Sequence, residues 1–282
     1  MDPGPLRDVL TVLLGVASGV LSGLFGVGGA VISTPGIRLL GASATTAIGT
    51  TLPSIIPGAA SGVLRYRREG LIDLRTVAAT APAGMAAAVA GALLTRVVPG
   101  RGHALMLATA GLVGFSAYRT VSAPRPAPDP DLDAALALTG AGRPGDRSGG
   151  LATRSVTGTR LASLTAVGAV AGLLAGLLGI GGGVVMVPGF TQVGGLPLKR
   201  AIATSLACVG LMAVPGTLTH AALGTIDWRF ALALTVGMVP GARLGAALAI
   251  RATDRRLRLV VGGFLAVTAV LYAAGEAAAL MA

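Results

Sequence analysis

Cysteine and tryptophan each occur once in this chain and histidine twice, and the aromatic residues together make up only 3% of it. The single Cys208 excludes an intramolecular disulfide and any multi-cysteine metal or iron–sulfur site. Its place inside an apolar run marks it as a buried bystander. Charge is scarce too. Charged residues are 12% of the total and hydrophobic ones 53%, whereas soluble domains average about 25% charged. A soluble domain of 282 residues has far more polar surface to cover than these side chains can supply. Paired carboxylates, H-E-x-x-H, G-x-S-x-G and a Walker loop are all missing from the sequence. No catalytic residue, metal or cofactor is therefore expected, and the chain does not read as an enzyme.

What the chain has in abundance is apolar length. Runs cover Val9–Leu24, Ala44–Leu64, Thr76–Leu94, His103–Ala117, Leu161–Gly189, Ala201–Leu223, Phe230–Ile250 and Leu257–Ala274. Most approach or exceed the roughly 17–25 residues that span a bilayer. The expected class is an all-α, multi-pass protein of the cytoplasmic membrane. The first run follows one arginine and lacks an A-x-A-like end, so it reads as a membrane segment rather than a removed signal. The net charge of +11 would point to nucleic acid in a soluble protein. Here the arginines lie between apolar runs, which is the pattern of membrane topology, and nucleic acid is not an expected partner.

Residues 122–160 are rich in Pro, Gly, Asp and Arg. This composition reads as a flexible polar linker, with a short helix expected at Asp131–Leu138. It separates a first membrane repeat, 1–121, from a second, 161–282. The two match in sequence. At an offset of 153, Gly15, Gly19, Gly23, Gly26, Gly28, Gly29 and Pro35 fall on Gly168, Gly172, Gly176, Gly179, Gly181, Gly182 and Pro188. One residue later in offset, Ala47–Leu52 aligns with Ala201–Leu206 and Gly70–Asp73 with Gly224–Asp227. An internal duplication follows.

Transporters are commonly built from such repeats, with helices broken at corresponding positions near the substrate. The first three glycines of each set are spaced by four and share one helix face, which suits close helix packing. The second cluster, GVGGA or GIGGG, releases the helix and permits positive φ. The freed N–H groups, and helices starting near Ala30 and Gly183, can face an anion. Gly26, Gly28, Gly29, Pro35, Gly179, Gly181, Gly182, Gly183 and Pro188 are accordingly candidate substrate-lining residues, and a packing kink without a ligand is the competing reading. Thr50, Thr51, Thr204 and Ser205 fall at matching positions inside apolar runs. Their hydroxyls could donate to an oxyanion or bond back to the preceding turn.

Arg243 stands alone inside an apolar run. It could neutralise an anion, pair with Asp73 or Asp227, or snorkel to an interface. His220 reads as a structural residue near the interface, with proton coupling as the alternative, and Glu276 is placed at an interface.

Counting cations separates two topologies. Eight crossings with the N-terminus inside put 12 Lys and Arg on one side and nine on the other. Making each glycine segment re-entrant leaves three crossings per half and shifts the division to 16 against five. The second division fits the positive-inside rule far better, and an odd number of crossings per half would invert the repeats. Two full helices joined by a tight glycine turn would give the same loop sides.

GLFGVGGAVISTP with AIGTTL, repeated as GLLGIGGGVVMVP with AIATSL, resembles the sulfite exporter TauE/SafE family of membrane transporters, over nearly the whole chain outside the linker. The paired Gly70-Leu71-Ile72-Asp73 and Gly224-Thr225-Ile226-Asp227 turns belong to the same resemblance. It implies movement of small sulfur-containing anions such as sulfite, sulfoacetate or other organosulfonates, and about eight membrane segments in two repeats. Ala30 against Gly183, and Thr51 against Ser205, make the two halves non-equivalent. The expected function is secondary transport by alternating access, driven by the proton gradient or the substrate's own gradient. An anion channel and a non-transporting membrane scaffold or assembly factor are the alternatives. The abundant small-residue faces make a homodimer a further expectation.

Overall fold

The computed structural model describes residues 4–94, 111, 114–115, 118, 158–179 and 181–281. The expected linker, apart from its last three residues, lies outside the described residues. So do its short helix and nearly all of the His103–Ala117 run. The described chain is helical: α1 Pro5–Phe25, α2 Ala30–Leu39, α3 Ala44–Arg67, α4 Leu74–Leu94, α5 Gly158–Leu178, α6 Gly183–Gln192, α7 Leu198–Ala222, α8 Trp228–Arg251 and α9 Asp254–Met281. Six of these, α1, α3, α4, α5, α7 and α8, are long and apolar enough to cross a membrane. The protein is a multi-pass membrane protein.

Local signals set the helix boundaries. The Ser43 hydroxyl accepts from Thr46 N–H at 3.2 Å and caps α3. Asp73 Oδ1 accepts from Arg75 and Thr76 N–H at the start of α4. Asp227 Oδ1 accepts from Arg229 and Phe230 N–H at the start of α8. These satisfy donors that a helix start leaves without an internal partner. The apolar run Leu161–Gly189, continuous by hydropathy, is divided between α5 and α6 by its glycines.

Helices from the N-terminal and C-terminal parts of the chain interlock. α1 packs on α8, α4 packs on α5, and α3 and α7 lie together between them. Within their most apolar stretches α3 and α7 are each 61% buried, against 33–44% for the other four long helices, so they form the centre. The spaced glycines make the side contacts. A methyl group on Gly15, Gly19 or Gly23 would strike the Leu234, Met238 or Ala242 carbonyl. One on Gly237, Gly241 or Gly245 would strike Val12, Val16 or Val20 in return. Gly168, Gly172 and Gly176 meet Thr80, Gly84 and Ala88 in the same way. Without side chains the two backbones come into van der Waals contact, the main source of helix affinity where no water is squeezed out. The small-residue faces that prompted the homodimer expectation are therefore covered within the chain.

The ends of the bundle can be read from contacts. The Arg7 guanidinium lies 4.4 Å from the Phe230 ring centre, and Asp8 pairs with Arg229 at 2.6 Å. Ile37, Ala47, Phe230 and Leu234 cluster nearby. The starts of α1, α3 and α8 and the end of α2 thus share one end. α2 folds back along α1, with Gly36 against Leu14, and α6 folds back along α5, with Gly189 against Val167. At the other end Asp73 N–H donates to the Thr204 hydroxyl at 3.1 Å, and Lys199 Nζ donates to the Ile250 carbonyl at 2.9 Å. That end gathers Arg65, Arg67, Arg68, Arg75, Lys199, Arg200 and Arg251, while Arg7, Arg38 and Arg229 mark the opposite one.

Replacing Gly19 or Gly172 with Leu is expected to lower the thermal midpoint in detergent by the equivalent of about 1–3 kcal/mol or more, since the blocking atoms are backbone. Gly263→Leu should leave it unchanged, because Gly263 has nothing within 4 Å of an added methyl.

Candidate functional site

The two helix breaks follow the same backbone path. After α1, Gly26, Gly28 and Gly29 have φ of 69°, 92° and 76°. After α5, Gly179, Gly181 and Gly182 have φ of 66°, 86° and 70°. Left-handed backbone of this kind strains any residue with a Cβ. Three glycines in four positions let the chain leave one helix and start another within a single short turn. Gly29 and Gly182 are the N-caps from which α2 and α6 begin.

The breaks touch each other. A methyl on Gly28 would lie 3.7 Å from Gly181 Cα. One on Gly181 would lie 3.6 Å from Gly28 Cα and 3.0 Å from the Val27 carbonyl oxygen. Gly183 is seated against the Gly26 carbonyl, with Val27 Cα 2.5 Å from where its methyl would be. That contact gives a reason for Gly183 where the first half has Ala30, whose methyl is fully buried. Each break also rests on the central helix of the other half. Gly26 meets the Ile202 carbonyl of α7, and Gly179 meets Ile48 of α3.

Side-chain hydroxyls brace this arrangement. The Ser205 hydroxyl donates to the Gly26 carbonyl at 2.8 Å, and the Tyr66 hydroxyl donates to the Gly23 carbonyl at 2.6 Å. Both acceptors are in or beside the last turn of α1, where helix carbonyls lose their internal donors. The Thr51 hydroxyl donates back to the Ile48 carbonyl at 3.0 Å and lies 3.4 Å from the Thr34 hydroxyl of α2. Thr50 accepts from Asp227 N–H at 2.9 Å, mirroring Thr204 and Asp73. All four matched hydroxyl residues are fully buried. Ser205 and Thr51 lie beside the breaks, whereas Thr50 and Thr204 hold the loops that enter α8 and α4.

Other candidates are placed elsewhere. Pro35 and Pro188 are half-buried in the middle of α2 and α6, beyond the meeting point of the glycines. Arg243 is exposed on α8. Among the described residues it forms no ion pair with Asp73 or Asp227, whose carboxylates accept from the first N–H groups of α4 and α8. His220 is fully buried in the last turn of α7, with Nδ1 2.9 Å from the Thr225 hydroxyl. The Glu276 side chain lies outside the described residues. Tyr66, Val209 and Ile55 also line or brace the junction and were not among the sequence candidates. A valine or isoleucine inside an apolar helix carries no signal of its own. Tyr66 is one of two tyrosines in residues 1–121, each just past the end of an apolar run, and nothing in the sequence set it apart from Tyr118.

Two helix N-termini, those of α2 and α6, begin at this junction. Each carries partial positive charge from its aligned peptide dipoles. Together they favour an anion over a cation. Among the described residues, no group of three or more His, Cys, Asp or Glu is placed to hold a metal ion.

Long apolar helices wrapped around two abutting helix breaks make this a multi-pass membrane protein of the kind to which membrane transporters belong. The particular family is given by comparison: the model of the sulfite exporter TauE/SafE family matches residues 11–272, and the chain belongs to that family. It is 27% identical to "Probable membrane transporter protein YunE" of Bacillus subtilis, over 85% of this chain and 88% of that protein. It is 26% identical to a "Probable membrane transporter protein" of Xylella fastidiosa, over 94% of each chain. It is 28% identical to "Probable membrane transporter protein MamO" of Paramagnetospirillum magneticum, over 85% of this chain and 40% of that longer protein. No solved structure gives a significant match.

Ser205→Ala and Tyr66→Phe should each destabilise the detergent-solubilised protein by about 1–3 kcal/mol, because a buried carbonyl loses its donor. Thr235→Ala, which removes only a bond to the preceding turn at Ala231, should stay within about 0.5 kcal/mol of the parent. Thermal midpoints measured in one detergent check both.

Proposed function

We propose that the protein is a secondary transporter of small anions, sulfur oxyanions such as sulfite or a short organosulfonate in the first place. The observation that carries this reading is the abutment of the Gly26–Gly29 and Gly179–Gly182 breaks between α3 and α7, with the N-termini of α2 and α6 meeting there. Unwound backbone at membrane depth is tolerated where protein or a water-filled cavity satisfies it. A site built from peptide dipoles offers partial positive charge without a fixed cation, so it can release its anion as well as bind it. The family description supports sulfite or a related anion as the cargo.

The two halves act as repeats of opposite orientation, each with a re-entrant first pair of helices. The matched φ values, and the reciprocal packing of α1 on α8 and of α5 on α4, support that reading. Rocking of the halves about the α3–α7 contact would expose the junction to one side at a time. The junction is packed shut by Val209 and Ile55, which favours a carrier in an occluded form over an open channel. The cation-rich end is the cytoplasmic one by the positive-inside rule.

Proteoliposomes test the reading through uptake and counterflow of labelled sulfite, sulfate and a small sulfonate. Saturable flux with trans-stimulation of at least one anion is expected. It should fall about tenfold or more in Gly28→Ala or Gly181→Ala protein that still purifies as a folded species, since such a loss matches about 1.4 kcal/mol in the barrier. Absence of flux for every anion, with and without a pH gradient, would overturn it. Single cysteines at Arg38 and Arg67 in a Cys208→Ala background should react with impermeant reagents from opposite faces.

A further inference from the structure

The apolar side chain that covers the meeting point of the two breaks does more than close the junction. Val209 is in the middle of α7 and 1% exposed. Its Cγ1 would be 2.6 Å from a methyl on Gly28 and 3.3 Å from a methyl on Gly181. It therefore packs onto both unwound segments at once. Ile55, fully buried on α3, lies on the same spot from across the junction, with Cγ2 3.8 Å from the Gly28 methyl position. No pyramidal or tetrahedral oxyanion fits against the two glycines while Val209 stays where it is.

Both residues are β-branched and on helices, where such side chains have one strongly preferred χ1. Val209 cannot simply swing aside by rotamer change. Admitting an anion requires α7 to move relative to the breaks, and the gap so opened is bounded by the valine's two methyl groups. An apolar constriction next to polar peptide groups also keeps water out until that movement occurs.

We infer that Val209 is the size filter of the permeation pathway, setting the largest anion that reaches the paired helix N-termini. This inference rests on the transport reading. It names a specificity-determining side chain where that reading names only backbone.

The test combines a transport ratio with an accessibility measurement that needs no transport. In proteoliposomes, Val209→Ala should raise flux of a bulkier sulfonate relative to sulfite by about tenfold, and Val209→Leu should lower it, as expected for a methyl-scale change in a close-fitting pocket. Independently, Val209→Cys in the Cys208→Ala background should react with a negatively charged, membrane-impermeant methanethiosulfonate. Leu211→Cys, two positions along α7 with its side chain 42% exposed on the outside of the bundle, should not. An unchanged ratio in Val209→Ala, or equal inertness of the two cysteines, would overturn the filter. If the parent protein moves no anion, the transport reading falls and the anion filter with it, and reaction of Val209→Cys but not of Leu211→Cys then shows only that Val209 lines a water-filled path.

Discussion

A peptide group in hydrocarbon must find its partner in the protein, because no water is there to supply one. The structure can be understood as the consequence of breaking two helices under that constraint. The carbonyls around the first break take donors from distant residues: Ser205 for Gly26 and Tyr66 for Gly23. Those donors are on α7 and α3, so the break cannot be formed without the centre of the bundle. The centre in turn can approach the break only because Gly26, Gly179 and Gly183 have no side chain to hold it off.

The same economy of side chains explains the interlocked packing. Helices in a membrane gain little from burying apolar surface, since lipid is as apolar as leucine. α1 and α8 are held instead by backbone-to-backbone contact along two glycine rows, and α4 and α5 by a similar pair of faces. Because each pair joins one half of the chain to the other, neither half makes its side contacts alone. The loops add to this linkage. Thr50 receives Asp227 N–H and Thr204 receives Asp73 N–H, while the two aspartates cap the helices that follow. The paired Gly-x-x-Asp turns are thus joints between halves.

The two breaks share their φ values but not all of their contacts, and the differences are local. Ser205 reaches across to Gly26, but its counterpart Thr51 bonds back within α3 and approaches Thr34 of α2. Gly183 leaves room for the Gly26 carbonyl, whereas Ala30 fits its methyl into the core. The first break is therefore tied to the opposite central helix by a side-chain hydrogen bond and the second by contact of Gly179 with Ile48.

Much of this was legible in the residues alone. Apolar run length determined a helical membrane protein, and the spaced glycines determined faces for close packing. The clustered glycines located both breaks, down to helix starts at Ala30 and Gly183, because positive φ is a local demand that glycine meets wherever it occurs. The choice between substrate contact and internal bonding for the matched hydroxyls could not be made from sequence, since a buried threonine reads alike in both roles. Tertiary structure decided which face met which. It sent α1 to α8 and α5 to α4, turned Arg243 outward, spent Asp73 and Asp227 on helix caps, and buried His220. It also placed Val209 against both breaks. These are matters of distance between residues far apart in the chain, and periodicity along one helix contains no term for them.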